Sequence, residues 1–232
     1  MIPLYDDQPA ETTPVVTVGL ILLNVLVFVA WQSSTGVDQT VAQAGFIPED
    51  FSAHVPGAMT HLFTSMFMHG GWGHLLGNMW FLWIFGNNIE DVCGHVRFAC
   101  FYVLCGAAAT LLYAMGSPHS AIPLVGASGA ISGVLGAYLL KFPRAMVRSL
   151  IPFGIFSRII DVPAFVFLLV WIGMQFLQQV VSRPQGESGG VAYLAHIGGF
   201  VAGIILIFIF QDSAAARRAS YRSGGRLDSW DS

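Results

Sequence analysis

Gly126-Ala127-Ser128-Gly129-Ala130-Ile131-Ser132-Gly133-Val134-Leu135-Gly136 is a run of glycine, alanine and serine inside an otherwise apolar chain. Its neighbours are bulky. In lipid, small residues three or four apart let a second helix backbone approach closely. The stretch that matches it is Ala195-His196-Ile197-Gly198-Gly199-Phe200-Val201-Ala202-Gly203, which would bring one histidine to one serine. A hydroxyl is a weak nucleophile until a base within hydrogen-bond reach takes its proton, and neutral imidazole suits that task near neutral pH. The two stretches together read as a Ser128–His196 hydrolytic pair inside a membrane.

Composition agrees with that setting. The chain has 232 residues, 55% hydrophobic and 10% charged, with a mean hydropathy of +0.67, too apolar for an ordinary water-soluble domain. A net charge of -3 gives no reason to expect a nucleic-acid partner. Cys93, Cys100 and Cys105 show no metal-ligand spacing and read as packing residues. Residues 1–13 carry Asp6, Asp7 and Glu11 but no Lys or Arg, unlike the basic start of a signal peptide, so the first apolar run is expected to stay in the protein.

A bilayer core of about 30 Å needs roughly 20 apolar helical residues. Six segments approach that length without an Asp, Glu, Lys or Arg, at about 14–31, 72–88, 98–116, 122–140, 163–181 and 191–210. The expected fold is all-α, a polytopic bundle of six transmembrane helices over residues 14–210. Residues 1–13 and 211–232 read as cytoplasmic tails, the latter Ser, Arg, Ala and Gly rich and expected to be disordered from about 220. With both ends inside, Arg97, Lys141, Arg144, Arg148, Arg158, Arg217, Arg218, Arg222 and Arg226 all fall on the cytoplasmic side and only Arg183 falls outside. That is the positive-inside bias. The long loop at 32–71 mixes Phe46, Phe51, Leu62, Phe63 and Met66 with few charges and is expected to lie in the membrane interface.

Under this topology spans two, four and six run in the same direction, so distance from the start of a span gives depth. His74 and Asn78 fall about two and six residues into span two, Ser128 about six into span four and His196 about five into span six. At 1.5 Å per residue these groups share one level, within roughly 10 Å of the outer surface. Strongly polar groups are costly in lipid unless they face a bundle interior or a water-filled cavity, so their convergence points to a site.

These residues resemble the rhomboid intramembrane serine proteases. Gly126-Ala127-Ser128-Gly129 looks like that family's GxSG nucleophile motif. Ala195-His196 with Gly199 and Gly203 looks like its base helix, and His74-Leu75-Leu76-Gly77-Asn78 like its HxxxN segment. Leu62 to Gly71 also resembles the end of the family's first loop, and the resemblance covers about residues 14–210. It implies hydrolysis of a peptide bond in or beside the transmembrane helix of a single-pass protein, in the plasma membrane of a bacterium. Ser128 would attack, His196 would serve as base and then acid, and Asn78, His74 and the Ser128 N–H would stabilise the oxyanion. No cofactor or metal is implied. The thirteen Asp and Glu all lie outside the six segments, so a dyad is expected rather than a triad.

Two positions depart from the family pattern. Thr60-His61 stand where members often have Trp-Arg in the first loop, and Ser132 stands where many carry an aromatic against which the catalytic histidine packs. Hydrolysis also needs water, so a cavity open to the outer face is expected. The 182–190 loop, with Pro184, Gly186, Gly189 and Gly190, reads as a lid, and span five as an element that could move sideways to admit a helix. The competing readings are a silent relative that binds transmembrane helices, and a metal hydrolase or transporter using His61, His69, His74 and His196. The scaffold predicts loss of Ser128 or His196, and both are present. The metal reading lacks an HxxxH or HExxH pair. Client, cleavage site and oligomeric state are not legible.

Overall fold

A computed structural model of the chain describes residues 1–153, 156–181 and 192–212. Strand β1 (Ile2–Asp6) opens the chain, and α1 (Val15–Val27) runs on through a π-helical turn, Phe28–Gln32, into α2 (Ser33–Thr35). The long loop folds as α3 (Val37–Ala44), α4 (Pro48–Ser52), α5 (Ala58–Thr64) and a 3-10 turn, Ser65–Phe67. There follow α6 (Trp72–Cys93), α7 (His95–Gly116), α8 (Ser128–Lys141), β2 (Met146–Phe153), β3 (Phe156–Pro163), α9 (Ala164–Val181) and α10 (Tyr193–Phe210).

Among the described residues four helices are long and apolar enough to cross a membrane: Val15–Thr35, His95–Gly116, Ala164–Val181 and Tyr193–Phe210. The other two expected spans differ for physical reasons. Helix α6 has 22 residues but carries His74, Asn78, Asn87, Asn88, Glu90 and Asp91 among its apolar ones. Helix α8 has only 14 residues. It is nonetheless the centre of the bundle, because every residue from Ala130 to Tyr138 is buried, the mark of a helix enclosed on all sides. Helix α9 is the opposite case, with only Ala164, Phe167, Leu168, Ile172 and Gln175 buried.

Backbone contact holds α8 to α10. A β-carbon on Gly199 would collide with the carbonyl oxygen of Gly129, one on Gly203 with that of Gly133, and one on Gly136 with that of Phe200. The small-residue runs thus do what lipid packing asks of them, letting two backbones touch where lipid-exposed side chains would hold them apart.

The expected all-α class is corrected by a three-stranded antiparallel sheet in the order β1-β2-β3. Ile2 pairs with Leu150 and Asp6 with Val147, while Met146 pairs with Pro163 and Leu150 with Ile159. The 1–13 segment is therefore held against the rest of the chain. Trp80 Nε1 donates to the Pro3 carbonyl at 2.6 Å, the Tyr138 hydroxyl donates to Asp6, and the Met146 N–H donates to Asp7 Oδ1 at 2.9 Å. Asp91 receives the N–H groups of Glu11 and Thr12 at 2.6 and 3.0 Å.

Helix α6 also runs beyond the expected 72–88, which places Glu90 inside a helix and almost fully buried. Its carboxylate accepts from the Val16 N–H at 2.9 Å, the Thr17 N–H at 2.8 Å and the Thr17 hydroxyl at 2.7 Å. The first turn of any helix leaves N–H groups without intrahelical partners, and at α1 they are met by a side chain from α6. The 182–190 segment expected to form a lid, and the 211–232 tail beyond residue 212, lie outside the described residues.

Candidate active site

The helix expected from 122 does not begin there. Pro123 has no N–H to give a helix, and Gly126 takes φ +118°, a conformation that favours glycine. The segment is tied instead to the long loop. Leu124 exchanges backbone hydrogen bonds with Phe46 at 2.7 and 3.0 Å, and the Gly126 N–H donates to the Ser65 carbonyl at 2.9 Å. Ser128 is therefore the first residue of α8, not six residues into a span. Its peptide stands at the positive end of the helix dipole, where N–H groups are free of intrahelical bonds.

Helix α10 places His196 one turn from its start, facing Ser128. Ser128 Oγ and His196 Nε2 are 2.9 Å apart, and His196 Nδ1 is 2.8 Å from Gln175 Oε1 on α9. An amide oxygen can only accept, so Nδ1 carries the proton and Nε2 presents its lone pair to the serine hydroxyl. The Trp171 ring lies 5.9 Å from the His196 ring at an interplanar angle of 34° and stacks in turn on Phe200 at 6.2 Å. An aromatic from α9 thus covers the histidine, while Ser132 turns back and donates to the Ser128 carbonyl at 2.7 Å.

His74 and Asn78 come to the same place from α6. The Gly70 N–H donates to His74 Nδ1 at 3.3 Å, which leaves Nε2 as the N–H of that ring. A β-carbon on Gly126 would lie 2.7 Å from His74 Nε2 and 3.6 Å from Asn78 Nδ2, so both donors converge beside the backbone two residues before Ser128. Asn78 Nδ2 is buried and has no hydrogen-bond partner among the described residues. The His69 ring stands edge-on to His74 at 5.2 Å, and burial pushes its imidazole down to about 4.

Ser128, His196, His74, Asn78 and Trp171 line one cavity of about 630 Å³. Gly73 and Gly77 border it, and a β-carbon on either would meet nothing within 4 Å. Thr60 and His61 lie on α5 and do not line it. Among the described residues no three His, Cys, Asp or Glu side chains form a group that could hold a metal ion. Sequence reading missed Gln175 and Trp171. Their only sign was an amide four residues after a tryptophan, on one face of an otherwise apolar helix.

A helical membrane protein whose core encloses a serine, a histidine and a pair of convergent hydrogen-bond donors is the class these observations define. The chain belongs to the rhomboid family: the Rhomboid domain profile matches residues 56–213. It is 30% identical over 195 residues to Rhomboid protease GluP of Bacillus subtilis (strain 168), covering 83% of this chain and 35% of that protein. Rhomboid-like protein 11, chloroplastic, of Arabidopsis thaliana is 26% identical over 165 residues, 66% of this chain and 53% of that one. Inactive rhomboid protein 1 of Danio rerio is 28% identical over 177 residues, 75% of this chain and 17% of that one. The chain therefore spans between 17% and 53% of the length of these three relatives, and the family contains proteases as well as inactive members.

Proposed function

We propose that this protein is an intramembrane serine endopeptidase that cuts a peptide bond in or next to the transmembrane helix of single-pass membrane proteins. The observation that carries the reading is the 2.9 Å contact between Ser128 Oγ and His196 Nε2 on the wall of a large cavity. His196 takes the serine proton as Oγ attacks the carbonyl carbon, then gives it to the leaving amine. Water, activated by the same imidazole, releases the acyl group from Ser128. The carbonyl oxygen that becomes an oxyanion is met by Asn78 Nδ2, His74 Nε2 and the Ser128 N–H, each donor worth about 3 kcal/mol when preorganised. The dyad needs no buried carboxylate, since Gln175 Oε1 holds the far nitrogen.

The proposed setting is a six-span core over residues 14–210 in the plasma membrane of a bacterium, with both ends in the cytoplasm and the 32–71 loop in the interface. This arrangement puts α6 and α8 across the bilayer with the four longer helices, the sheet on the cytoplasmic side and the cavity near the outer face. Single-pass proteins reach the cavity from lipid and present an extended strand to Ser128.

The test is cleavage of a panel of single-pass substrates in lipid vesicles by the parent protein, Ser128→Ala and His196→Ala, with products mapped by mass spectrometry. Cleavage near the outer boundary by the parent alone supports the dyad and the topology together. Cleavage by Ser128→Ala removes the mechanism. A parent that binds helices and cuts none replaces the enzyme with a scaffold.

A further inference from the structure

We infer that Gln175 is a positioning residue for this reaction, and that it makes the orientation of the base conditional on α9 being docked. The inference rests on the Ser128–His196 reading above. Its starting point is where α9 touches the bundle. Ala164, Phe167, Leu168 and Ile172 are buried in its first half, whereas Phe165, Leu169, Met174, Phe176, Leu177 and Val180 are exposed. Beyond Ile172 the last buried side chain is Gln175, and its amide oxygen bonds His196 Nδ1 at 2.8 Å.

A polar amide in an apolar, lipid-facing helix is costly unless it is partnered, and the partner here is the base itself. The consequence is chemical as well as structural. Imidazole has two neutral tautomers, and only the one with hydrogen on Nδ1 offers Nε2 to the serine. With Oε1 in place that tautomer is selected. With α9 displaced, Nδ1 loses its acceptor, the ring loses the Trp171 face, and both tautomers and other ring rotations become available. The second half of α9 is the part with least burial, so it is the part a helix arriving from lipid displaces most readily. Entry of a substrate beside α9 then idles the base, and redocking of α9 restores it. The catalytic pair is competent in the closed enzyme and relaxed in the open one.

The test uses the full chain in lipid vesicles with a single-pass substrate that the parent cuts, and in parallel a small fluorophosphonate that labels Ser128 without passing between helices. Gln175→Leu, with Gln175→Met as a second variant should the first fold poorly, is expected to lower kcat and the labelling rate at least about tenfold, the loss of one hydrogen bond to the transition state. KM and the thermal midpoint stay near the parent values. Gln175→Glu, which keeps an acceptor oxygen on a stem of the same length, recovers both rates. The ring nitrogen resonances of ¹⁵N-labelled His196 report the single Nδ1–H tautomer in the parent and a mixture in Gln175→Leu. Parent-like kcat, labelling and nitrogen shifts in Gln175→Leu and Gln175→Met overturn the inference. If Ser128→Ala is silent in that case, the dyad stands and only the role of Gln175 falls. If Ser128→Ala still cleaves, the dyad and the inference fall together.

Discussion

Gly203 lies so close over the Gly133 carbonyl oxygen that a β-carbon on it would overlap that oxygen. Gly199 stands in the same relation to Gly129 one turn earlier, one residue beyond Ser128. The distance between Ser128 and His196 is thus set by two helices that meet without intervening side chains.

Gly203→Ala is expected to push α10 off α8, destabilise the protein by about 1–3 kcal/mol and lower kcat by stretching the Ser128–His196 contact. Gly173→Ala is the matched control, since a β-carbon there meets nothing within 4 Å. Thermal unfolding in detergent and cleavage assays on both variants check the pair. A Gly203→Ala protein as stable and active as Gly173→Ala would mean the backbone contact does not set the site.

The proposed oxyanion role of Asn78 and His74 makes a separate prediction. Asn78→Ala removes the buried Nδ2 group, which has no hydrogen-bond partner among the described residues, and is expected to lower kcat by about 10²-fold or more with little change in KM. Gly126→Ala is expected to do similar damage indirectly, because its new methyl would meet His74 Nε2 and because φ +118° disfavours a side chain. Steady-state cleavage kinetics separate the two effects from a loss of substrate binding.

Glu90→Gln tests the link between α6 and α1. One acceptor oxygen becomes an NH₂ facing the N–H groups of Val16 and Thr17 or the Thr17 hydroxyl. The expected cost is about 1.5–3 kcal/mol, the range for hydrogen bonds to a charged group. Hydrogen exchange at the Val16 and Thr17 amides should rise while exchange at Ser128 and Gly129 stays as in the parent.

Asp6 predicts a pH dependence at the sheet. Burial raises its carboxyl from an ordinary value of 3.8 to about 6, against the lowering effect of the Tyr138 hydroxyl. The folded state therefore holds the proton more tightly than the unfolded state. The Asp6 contribution to docking of β1 is fully present below pH 3.8 and is lost as pH rises through about 6. Exchange of the β1 amides, corrected for intrinsic rates, should increase between pH 5 and 7.5 in the parent. Asp6→Asn should flatten that rise.

The helices were legible because lipid demands long apolar runs, and the apolar segments at 98–116 and 191–210 fall within a few residues of α7 and α10. Ser128, His196, His74 and Asn78, which the structure brings to one cavity, were legible as a candidate site because polar groups in such runs are few. Gln175 was not, because its meaning depends on which way α9 is rotated against α10. The sheet was hidden for another reason. Lys141, Arg144, Arg148 and Arg158 carried a signal about sidedness that masked the strand pattern beneath it, and the partner of β2 lies at the far end of the chain. The start of α8 was misplaced because Ile122 to Val125 is apolar enough for a span, while Pro123 has no N–H and the Leu124 N–H is spent on Phe46 of the long loop.

The pairing of Ile2 with Leu150 also sets an order of events during synthesis. A ribosome adding about 5–20 residues per second completes β2 roughly 7–30 s after β1 has been made. Throughout that interval the first strand has no edge to join, although α1, α6 and α7 are made well before β2. Closure of the sheet is thus a late step of biogenesis, and a nascent chain halted before residue 146 should carry a protease-sensitive amino terminus that becomes resistant once residue 163 has emerged.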